Sequence, residues 1–215
     1  MDNGMAALAV LVGYGLGSLA FAVLVSRAMR LADPRSYGSQ NPGATNMLRS
    51  GSKLAALLTL LLDAAKGGVA VWLVQALGWV PPSSSALYAV GLAAFLGHLY
   101  PVFFGFRGGK GVATAAGVLL ALQPVLGLAT LATFGVILFF SRYVSLASMV
   151  AAVFAPFYLL FGNGVMWQVR PLAVLALAVM AGLLVWRHRT NIVRLLAGTE
   201  GQLGRPDRSK PSARR

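Results

Sequence analysis

The sequence has no cysteine and few charged residues, and each shortage excludes a class of protein. Without cysteine there can be no disulfide framework, no cysteine nucleophile and no thioester intermediate on the protein. Only 11% of the 215 residues are charged, compared with about 25% in soluble globular domains. Hydrophobic residues make up 58%, and the mean hydropathy is +0.75. This composition indicates a polytopic membrane protein.

Acidic residues are particularly scarce, since five Asp and Glu stand against 18 Lys and Arg, for a net charge of +13 at pH 7. Such an excess of positive charge can indicate a nucleic-acid-binding protein. In a chain this apolar, we instead expect the basic residues to face anionic lipid headgroups and to bind acidic substrates. Nucleic acid is therefore not an expected partner.

Long uncharged runs predict the membrane-spanning segments, because a hydrocarbon core of about 30 Å needs about 20 apolar residues. The first run carries Gly13, Gly15, Gly17 and Ser18, a face of small residues on which another helix can pack closely. The second contains Asp63 and Lys66. The predicted runs cover residues 5–25, 54–77, 86–104, 112–140, 146–161 and 171–186.

The run 112–140 is either one long kinked helix or two helices that meet at Pro124. Proline cannot donate to a helix, and Gln123 before it is biased out of the helical region. Charge favours two helices, because seven segments leave every basic residue except Lys66 and Arg170 in loops on one side. The positive-inside rule places that side in the cytoplasm.

We therefore predict an all-α integral membrane protein with seven transmembrane segments. The fourth and fifth are expected to be short, with the N-terminus outside and the C-terminus cytoplasmic. Residues 1–200 are predicted to form a single membrane domain, and residues 201–215 a basic cytoplasmic tail. From residue 204 onward the tail is rich in Arg, Pro and Ser, which predicts disorder.

The stretch FRGGKGVAT at residues 106–114 has the clearest chemistry. Glycines let consecutive N–H groups turn toward one anion, and a helix that starts at Val112 adds the positive end of its dipole. Lys110 would add a mobile charge. The stretch is not a Walker A loop, because Phe104 replaces its first glycine and Gly111 its Ser or Thr. By itself, it is equally compatible with a flexible turn anchored by one lysine.

Two further polar stretches fall on the same predicted side. Residues 36–49, SYGSQNPGATNMLR, combine hydroxyls, amides and a guanidinium, which recognise phosphate and hydroxyl groups; capped turns use the same residues. After the last run, His188 and Asn191 lie at i and i+3, on one face of a helix. His188 could bind phosphate or move a proton. Arg187 and Arg189 are interpreted as headgroup anchors.

Ionisable residues inside a span are costly and face a partner or a cavity. Asp63 and Lys66 are three residues apart with the acid first, the favourable orientation for a pair. A structural ion pair is the favoured interpretation, and Lys66 lining a site is the alternative. His98, near the end of the third run, is expected to make a structural hydrogen bond.

Together these stretches resemble the bacterial acyl-phosphate:glycerol-3-phosphate acyltransferase family over about residues 11–200. The similarity is carried by four groups of residues. They are GSQNPGATN at 38–46; DxxKG at 63–67; GH at 97–98, followed by Pro101 and GGKGVAT at 108–114; and RH at 187–188, followed by NI at 191–192, RL at 194–195 and GTE at 198–200. Two positions depart from the family pattern. Ser18 is not followed by the usual Ile and Pro, and Gln40 replaces a usual glycine.

The resemblance implies an integral enzyme of the bacterial inner membrane that works at the cytoplasmic face. Such an enzyme transfers a fatty acyl chain from acyl phosphate to the sn-1 hydroxyl of glycerol 3-phosphate, giving lysophosphatidate and inorganic phosphate. No cofactor and no metal ion are implied. The expected partners are acyl phosphate, glycerol 3-phosphate and membrane lipids, and the chain is expected to be a monomer.

The resemblance also implies the site residues. Those implied as catalytic are Ser39, Arg49, Lys110, His188 and Asn191. The same five are implied as substrate-binding, together with Asn41, Thr45, Asn46, Lys66, Gly108, Gly109, Gly111, Thr114 and Ser145. We expect the glycine stretch, Thr114, His188 and Asn191 to hold the donor phosphate, and Ser39, Asn41 and Arg49 to hold glycerol 3-phosphate. Lys66 or Lys110 would be shared between the two anions. Direct attack by the glycerol hydroxyl is favoured over an acyl-enzyme on Ser39, and its proton would go to His188 or to a phosphate oxygen of the donor.

Two other classes of protein compete with this interpretation. A transporter for an organic phosphate also uses broken helices, glycine loops and intramembrane charges, but it should show an inverted repeat and polar residues at the midplane. Here the polar residues gather at one predicted face. A non-catalytic lipid scaffold explains the basic tail but not the polar residues 39–49. The enzyme is therefore favoured.

Overall fold

A computed structural model describes residues 3–204, and within that range the protein is built from helices alone, apart from one isolated β-bridge. Two 3-10 turns, Leu48–Ser50 and Val102–Phe104, lie between α-helices. The α-helices are α1 Asn3–Gly17, α2 Phe21–Ala28, α3 Ala44–Met47, α4 Lys53–Ala76, α5 Ala86–Leu99, α6 Val112–Leu122, α7 Pro124–Ser141, α8 Val144–Phe161, α9 Pro171–Arg187 and α10 Arg189–Leu196.

The first predicted run consists of two helices. α1 and α2 are bent by 42° relative to each other. At the break, the Lys66 Nζ on α4 donates a hydrogen bond of 2.6 Å to the carbonyl oxygen of Leu19. A buried ammonium therefore satisfies a backbone acceptor that a continuous helix would have used internally.

The predicted break at Gln123 is confirmed. Gln123 is extended, with φ −151° and ψ 97°, and Pro124 opens α7 in the first turn, where its missing N–H costs nothing. With 11 residues, α6 is only about 16 Å long and is short as predicted. The prediction that the fifth segment is short was wrong, because α7 continues for 18 residues to Ser141 and is long enough to cross a bilayer.

The helices approach each other closely where glycine leaves room. α4 packs against α6 at Gly117, where a Cβ would lie 1.9 Å from the carbonyl oxygen of Ala64. α1 packs against α5 at Gly17, where a Cβ would lie 2.0 Å from the carbonyl oxygen of Ala94. The small-residue face predicted for the first run is thus confirmed at Gly17, while Gly15 on the same helix has no neighbour within 4 Å.

Four helical segments of the described chain are long and apolar enough to cross a membrane. They are α4, α5 with its 3-10 turn, α7 and α8, and the bent pairs α1–α2 and α9–α10 raise the number to six. Large apolar side chains point outward from these helices, and Phe139, Phe140 and Phe161 are each about four-fifths exposed. Exposed apolar surface of this kind indicates contact with lipid, so this is an integral membrane protein.

The C-terminal part of the described chain turns back onto the helices. The backbone N–H of Leu203 donates to the carbonyl oxygen of Arg142, between α7 and α8, at 2.8 Å. Residues 205–215, almost the whole of the predicted disordered tail, lie outside the described residues. The single domain proposed for residues 1–200 stays a prediction.

Candidate active site

The glycine stretch is fastened to the end of α9 by Arg187. Its Nε donates to the carbonyl oxygen of Gly109 at 3.1 Å and a terminal nitrogen to that of Gly108 at 2.7 Å. The guanidinium also lies 6.0 Å from the centre of the Tyr100 ring. The interpretation of Arg187 as a headgroup anchor was therefore wrong, because its guanidinium donates two charge-assisted hydrogen bonds that position the glycine stretch between α5 and α6.

The glycines of this stretch are required by packing more than by anion binding. The Gly109 N–H donates to the carbonyl oxygen of His98 at 3.1 Å, so it does not belong to the predicted set of free donors. A Cβ at Gly109 would lie 2.2 Å from the His98 Nε2 and 2.8 Å from the carbonyl oxygen of Pro42. Gly111 adopts φ +85° against the Phe95 ring, a conformation that favours glycine.

Lys110 projects from this packed stretch into a chain of polar contacts with α8 and α10. Its ammonium donates to the Asn191 Oδ1, and the Asn191 Nδ2 donates to the Glu200 Oε1 at 2.6 Å. Ser145 donates to the same oxygen at 2.7 Å, and the Arg194 Nε to Oε2 at 2.7 Å. These five residues are called the Lys110 cluster below. Glu200 orients the Asn191 amide so that its oxygen faces the ammonium.

Electrostatics keep the Lys110 cluster ionised at neutral pH. Burial lowers the pKa of Lys110 to about 8; Glu200 opposes this change, whereas the positive charges of Arg194, Arg187 and Arg49 add to it. Lys110 therefore stays mostly protonated at pH 7. Burial works against the Glu200 carboxylate, but hydrogen bonds from Asn191, Ser145 and Arg194 outweigh it and hold the pKa of Glu200 below its usual value.

His188 occupies the bend between α9 and α10 and is 2% exposed. Its Nδ1 lies 2.8 Å from the carbonyl oxygen of Leu184, and because a carbonyl only accepts, Nδ1 carries the proton and Nε2 is the acceptor nitrogen. Burial, followed by the charge of Lys110, lowers the pKa of His188 to about 4. At pH 7 the ring is therefore neutral and offers a lone pair.

The first polar loop, residues 29–52, is organised by Asn46. Its Nδ2 donates to the carbonyl oxygens of Pro34 at 2.7 Å and Tyr37 at 3.2 Å, and its Oδ1 accepts from the backbone N–H of Ser39 at 3.0 Å. Asn46 is 2% exposed. The implied substrate-binding role of Asn46 is thus not supported, because its amide is used to shape the loop that presents Ser39.

The other implied residues of this loop are accessible. Ser39, Thr45 and Arg49 are exposed, and Asn41 is half-buried. The Arg49 side chain crosses Gly38, since a Cβ there would lie 2.9 Å from the Arg49 Cδ. The positive charge of Arg49 contributes to the lowered pKa of Lys110, so Arg49 lies within electrostatic reach of the Lys110 cluster.

Lys66 and Thr114 are placed elsewhere, in a buried network between helices α4, α5 and α6. The Lys66 Nζ lies 2.8 Å from the Asp63 Oδ1, and the two side chains are 2% and 4% exposed. The His98 Nδ1 lies 3.5 Å from the same oxygen and 3.2 Å from the Thr114 hydroxyl. The structural ion pair and the His98 hydrogen bond are confirmed. A substrate-binding role is not supported for Lys66 or Thr114, because both are enclosed by the helices.

A cavity of about 340 Å³ opens between the first polar loop, the glycine stretch and the end of α9. Three of its lining residues carry guanidinium groups, and Gly108 belongs to the implied site. The lining residues are Arg35, Gln40, Pro42, Phe106, Arg107, Gly108 and Arg187. We call this space the arginine cavity.

All three acidic residues in the described part of the chain are already paired. Asp33 pairs with Arg35, Asp63 with Lys66 and Glu200 with Arg194, at 2.7 to 2.8 Å. The other Lys and Arg side chains of the described polar loops are therefore not neutralised by an acidic partner. Arg187 and Glu200 were not proposed as site residues from the sequence, although the scarcity of acids was a signal that an acid among arginines would be paired.

Comparison with known proteins agrees with this arrangement. The profile of the family described as glycerol-3-phosphate acyltransferase matches residues 7–198. A glycerol-3-phosphate acyltransferase of Burkholderia lata is 61% identical over 211 residues, covering 96% of this chain and 93% of the relative. One from Albidiferax ferrireducens is 58% identical over 203 residues, covering 94% and 91%.

Two solved structures share the fold. The crystal structure of PlsY (YgiH), an integral membrane glycerol 3-phosphate acyltransferase, in its glycerol 3-phosphate form has a TM-score of 0.83 at 38% identity, covering 93% of this chain and 96% of that one. Its lysophosphatidic acid form has a TM-score of 0.81, also at 38% identity, with coverage of 93% and 95%. The chain belongs to the glycerol-3-phosphate acyltransferase family.

Proposed function

We propose that the protein transfers a fatty acyl chain from acyl phosphate to the sn-1 hydroxyl of glycerol 3-phosphate, forming lysophosphatidate and inorganic phosphate. The observation that supports this most is the contact of the glycine stretch with α9 and α10, through Arg187 to Gly108 and Gly109 and through Lys110 to Asn191. These stretches, distant in sequence, form one cationic site at the ends of apolar helices. Such a site suits two phosphorylated substrates, one of them attached to a lipid chain.

The membrane orientation is part of the proposal. Seven segments, with α6 and α7 as the fourth and fifth, put the Lys110 cluster and the first polar loop on one side. The positive-inside bias makes this side cytoplasmic, so the active site lies at the cytoplasmic face of the bacterial inner membrane. We propose that the enzyme acts as a monomer.

In this proposal the Lys110 cluster holds the donor phosphate. Lys110 supplies the charge, and Ser145, His188 and Asn191 supply polar groups around it. Ser39, Asn41, Thr45 and Arg49 face the acceptor. Two unit charges 4 Å apart interact by about 4 kcal/mol at an effective dielectric constant near 20, so neutralising the repulsion between two phosphates is a substantial part of catalysis.

The chemical step is a direct displacement. The sn-1 oxygen of glycerol 3-phosphate attacks the carbonyl carbon of the acyl phosphate, a new C–O ester bond forms, and the bond between that carbon and the phosphate oxygen breaks. The electron pair of the broken bond leaves with inorganic phosphate. Because acyl phosphate is already activated, positioning and charge neutralisation supply the acceleration, and no cofactor or metal ion takes part.

The proton of the attacking hydroxyl passes to phosphate. Burial lowers the pKa of His188 to about 4, so its Nε2 is a weak base, whereas the phosphate oxygen gains an electron pair and becomes more basic as its bond to the acyl carbon breaks. His188 orients the hydroxyl by accepting its hydrogen bond, and the departing phosphate takes the proton. Lys110 stabilises the negative charge that develops on this phosphate.

One assay tests the activity. Purified protein receives palmitoyl phosphate and glycerol 3-phosphate, and released inorganic phosphate and lysophosphatidate are measured together. We expect equal amounts of both products, loss of turnover in Lys110→Ala, and unchanged turnover in Lys53→Ala, which removes an exposed lysine at the start of α4. A well-folded wild-type protein without activity would refute the proposal.

The route is tested separately with labelled palmitoyl phosphate alone. A direct displacement leaves no label on the protein after denaturation, whereas a stable label on Ser39 would replace it by an acyl-enzyme route. We also expect a metal chelator to leave the rate unchanged. Loss of activity that Mg²⁺ restores would contradict that expectation.

A further inference from the structure

Helix α10 has one face that the packing of the helices does not use. Ile192 and Leu195 point inward and pack against the main hydrophobic core. The opposite face carries Arg189, Val193 and Leu196, spaced at i, i+4 and i+7, so these side chains lie one above another. All three are exposed, Val193 at 66% and Leu196 at 85%. We call this stripe the outer face of α10.

The outer face begins where the last predicted span ends. Trp186, in the last turn of α9, is half-exposed, and the Arg189 guanidinium lies 4.7 Å from the centre of its ring, within the range of a cation–π contact. α10 leaves the axis of α9 at an angle of 56°. A tryptophan paired with an arginine and followed by exposed apolar side chains is typical of a helix that lies in the headgroup layer of a membrane.

The charge of the outer face suits an anionic surface. α10 carries two arginines and no acidic residue. Arg194 is neutralised by Glu200 at 2.7 Å, whereas Arg189 forms no ion pair with any residue between 3 and 204. An uncompensated arginine can hold a lipid phosphate while the apolar side chains beside it enter the boundary with the acyl chains. The outer face therefore matches an anionic phospholipid better than a neutral one.

The other side of the same short helix carries a residue of the Lys110 cluster. Successive residues of an α-helix are about 100° apart, so Asn191 lies opposite Arg189 and Val193. Asn191 accepts a hydrogen bond from the Lys110 ammonium and donates one to Glu200. A helix of eight residues is marginal in water without contacts to stabilise it. Contacts on the outer face therefore help to fix Asn191 and, through it, the ammonium.

We propose that the outer face of α10 binds the headgroups of anionic phospholipids in the leaflet on the side of the Lys110 cluster, and that this binding holds Asn191 in place for acyl transfer. Arg189 contacts the lipid phosphate, and Val193 and Leu196 enter the boundary with the acyl chains. The rate of the enzyme then depends on the anionic lipid around it. This dependence rests on the proposed function, whereas the lipid contact itself does not.

A spin label tests the lipid contact without any enzyme assay. The chain has no cysteine, so Leu196→Cys and Thr199→Cys each provide a single attachment site. In nanodiscs that contain phosphatidylglycerol, oxygen dissolved in the lipid should reach the label at position 196, and a water-soluble nickel chelate should not. The label at position 199, which is exposed beyond the end of α10, should show the reverse.

Two results of the labelling would overturn the lipid contact. The first is a label at position 196 that the nickel chelate reaches as readily as the label at position 199, because the outer face would then lie in water. The second is dipolar coupling between labels at position 196, because a second copy of the chain would then cover the face in place of lipid.

Turnover in nanodiscs tests the coupling to the Lys110 cluster. An anionic leaflet repels both phosphorylated substrates, so electrostatics alone predicts a higher KM when about one third of the phosphatidylcholine is replaced by phosphatidylglycerol. We expect kcat to rise nevertheless, by up to about fivefold, which is the contribution of one arginine near an anionic surface. Arg189→Gln should abolish this rise in kcat.

Arg170→Gln is the matched control, because it removes an exposed arginine at the opposite end of α9 and should keep the rise in kcat. Both arginines are exposed, so both variants should keep the wild-type midpoint of thermal unfolding in detergent. If the label at position 196 lies in lipid but wild type forms no lysophosphatidate, the lipid contact stands and the proposed function falls. If wild type is active and its kcat is equal in both lipids, or Arg189→Gln keeps the rise, the coupling to Asn191 falls and the proposed function stands.

Discussion

The Lys110 ammonium and the Asn191 side-chain oxygen are in hydrogen-bond contact, although the residues are 81 positions apart. The contact joins the glycine stretch before α6 to the short helix after α9. Asn191 in turn donates to Glu200, so the place of the ammonium depends on three segments that meet only in the folded protein. The charge proposed to hold the donor phosphate is therefore positioned by tertiary structure.

The titration of Lys110 predicts an alkaline limit to activity. Its pKa is lowered to about 8, so the charged form is lost as pH rises through that value. We expect kcat/KM for palmitoyl phosphate to fall above about pH 8, because kcat/KM reports the free enzyme. In Lys110→Arg the guanidinium does not titrate in this range, and the alkaline fall should disappear even if the rate is lower throughout.

Lys53→Arg provides the comparison for this profile. It makes the same chemical change at an exposed lysine at the start of α4, and the alkaline fall in kcat/KM should remain. An identical alkaline fall in kcat/KM in wild type and in Lys110→Arg would show that another group is responsible. If only the Lys110 variant loses the alkaline fall, the fall reports the titration of Lys110 and not that of a tyrosine.

Glu200 is predicted to act through Asn191. Glu200→Gln keeps the shape of the side chain but replaces one of its two acceptor oxygens with an NH2 group, so the donors Ser145 and Asn191 on one oxygen, or Arg194 on the other, lose their acceptor. We expect a loss of about 1.5–3 kcal/mol in the free energy of unfolding, and a fall in kcat as Lys110 loses its fixed partner. Thermal unfolding and steady-state kinetics measure the two effects. Thr199→Val, at the exposed neighbouring position, should show neither.

Much of the helical framework could be predicted because uncharged runs and proline act locally. Pro124 ended α6 and began α7 as expected, and the glycine face of the first run packs at Gly17. The bend between α1 and α2 could not be predicted, because its stabilising partner is Lys66 on another helix. The length of α7 was underestimated because the break was expected to leave two short pieces.

The site was predictable as a set of stretches but less so residue by residue. Lys110, Ser145 and Asn191 are brought together as the resemblance implied. Asn46 and Lys66 are instead used to shape the loop and the helix bend, because an amide or ammonium in a motif can be satisfied by distant backbone carbonyls. Sequence spacing does not show which backbone groups lack partners.

The buried pair of Asp63 and Lys66 gives a prediction that separates structure from substrate binding. Asp63→Asn or Lys66→Met alone leaves an unpaired buried charge, and we expect each to lower the free energy of unfolding by about 3–5 kcal/mol. The double variant should regain part of that loss, because the pair is neutral and similar in size but the Leu19 carbonyl oxygen still lacks the Lys66 donor. If Lys66 is structural, the KM of both substrates in the double variant stays near the wild-type value. A large KM increase in a double variant of normal stability would return Lys66 to the substrate site.

Gly109→Ala is predicted to disturb the site through packing. The new methyl group would lie 2.2 Å from the His98 Nε2 and 2.8 Å from the carbonyl oxygen of Pro42, so the glycine stretch must move away from α5 and the first polar loop. We expect a cost of about 1–3 kcal/mol in unfolding free energy and a higher KM for palmitoyl phosphate.

Gly135→Ala on α7 is the control, because no atom lies within 4 Å of its Cβ position. There alanine should preserve activity and stabilise the helix by about 0.5–1 kcal/mol. Equal effects at the two positions would mean that the contact with His98 does not hold the glycine stretch in place.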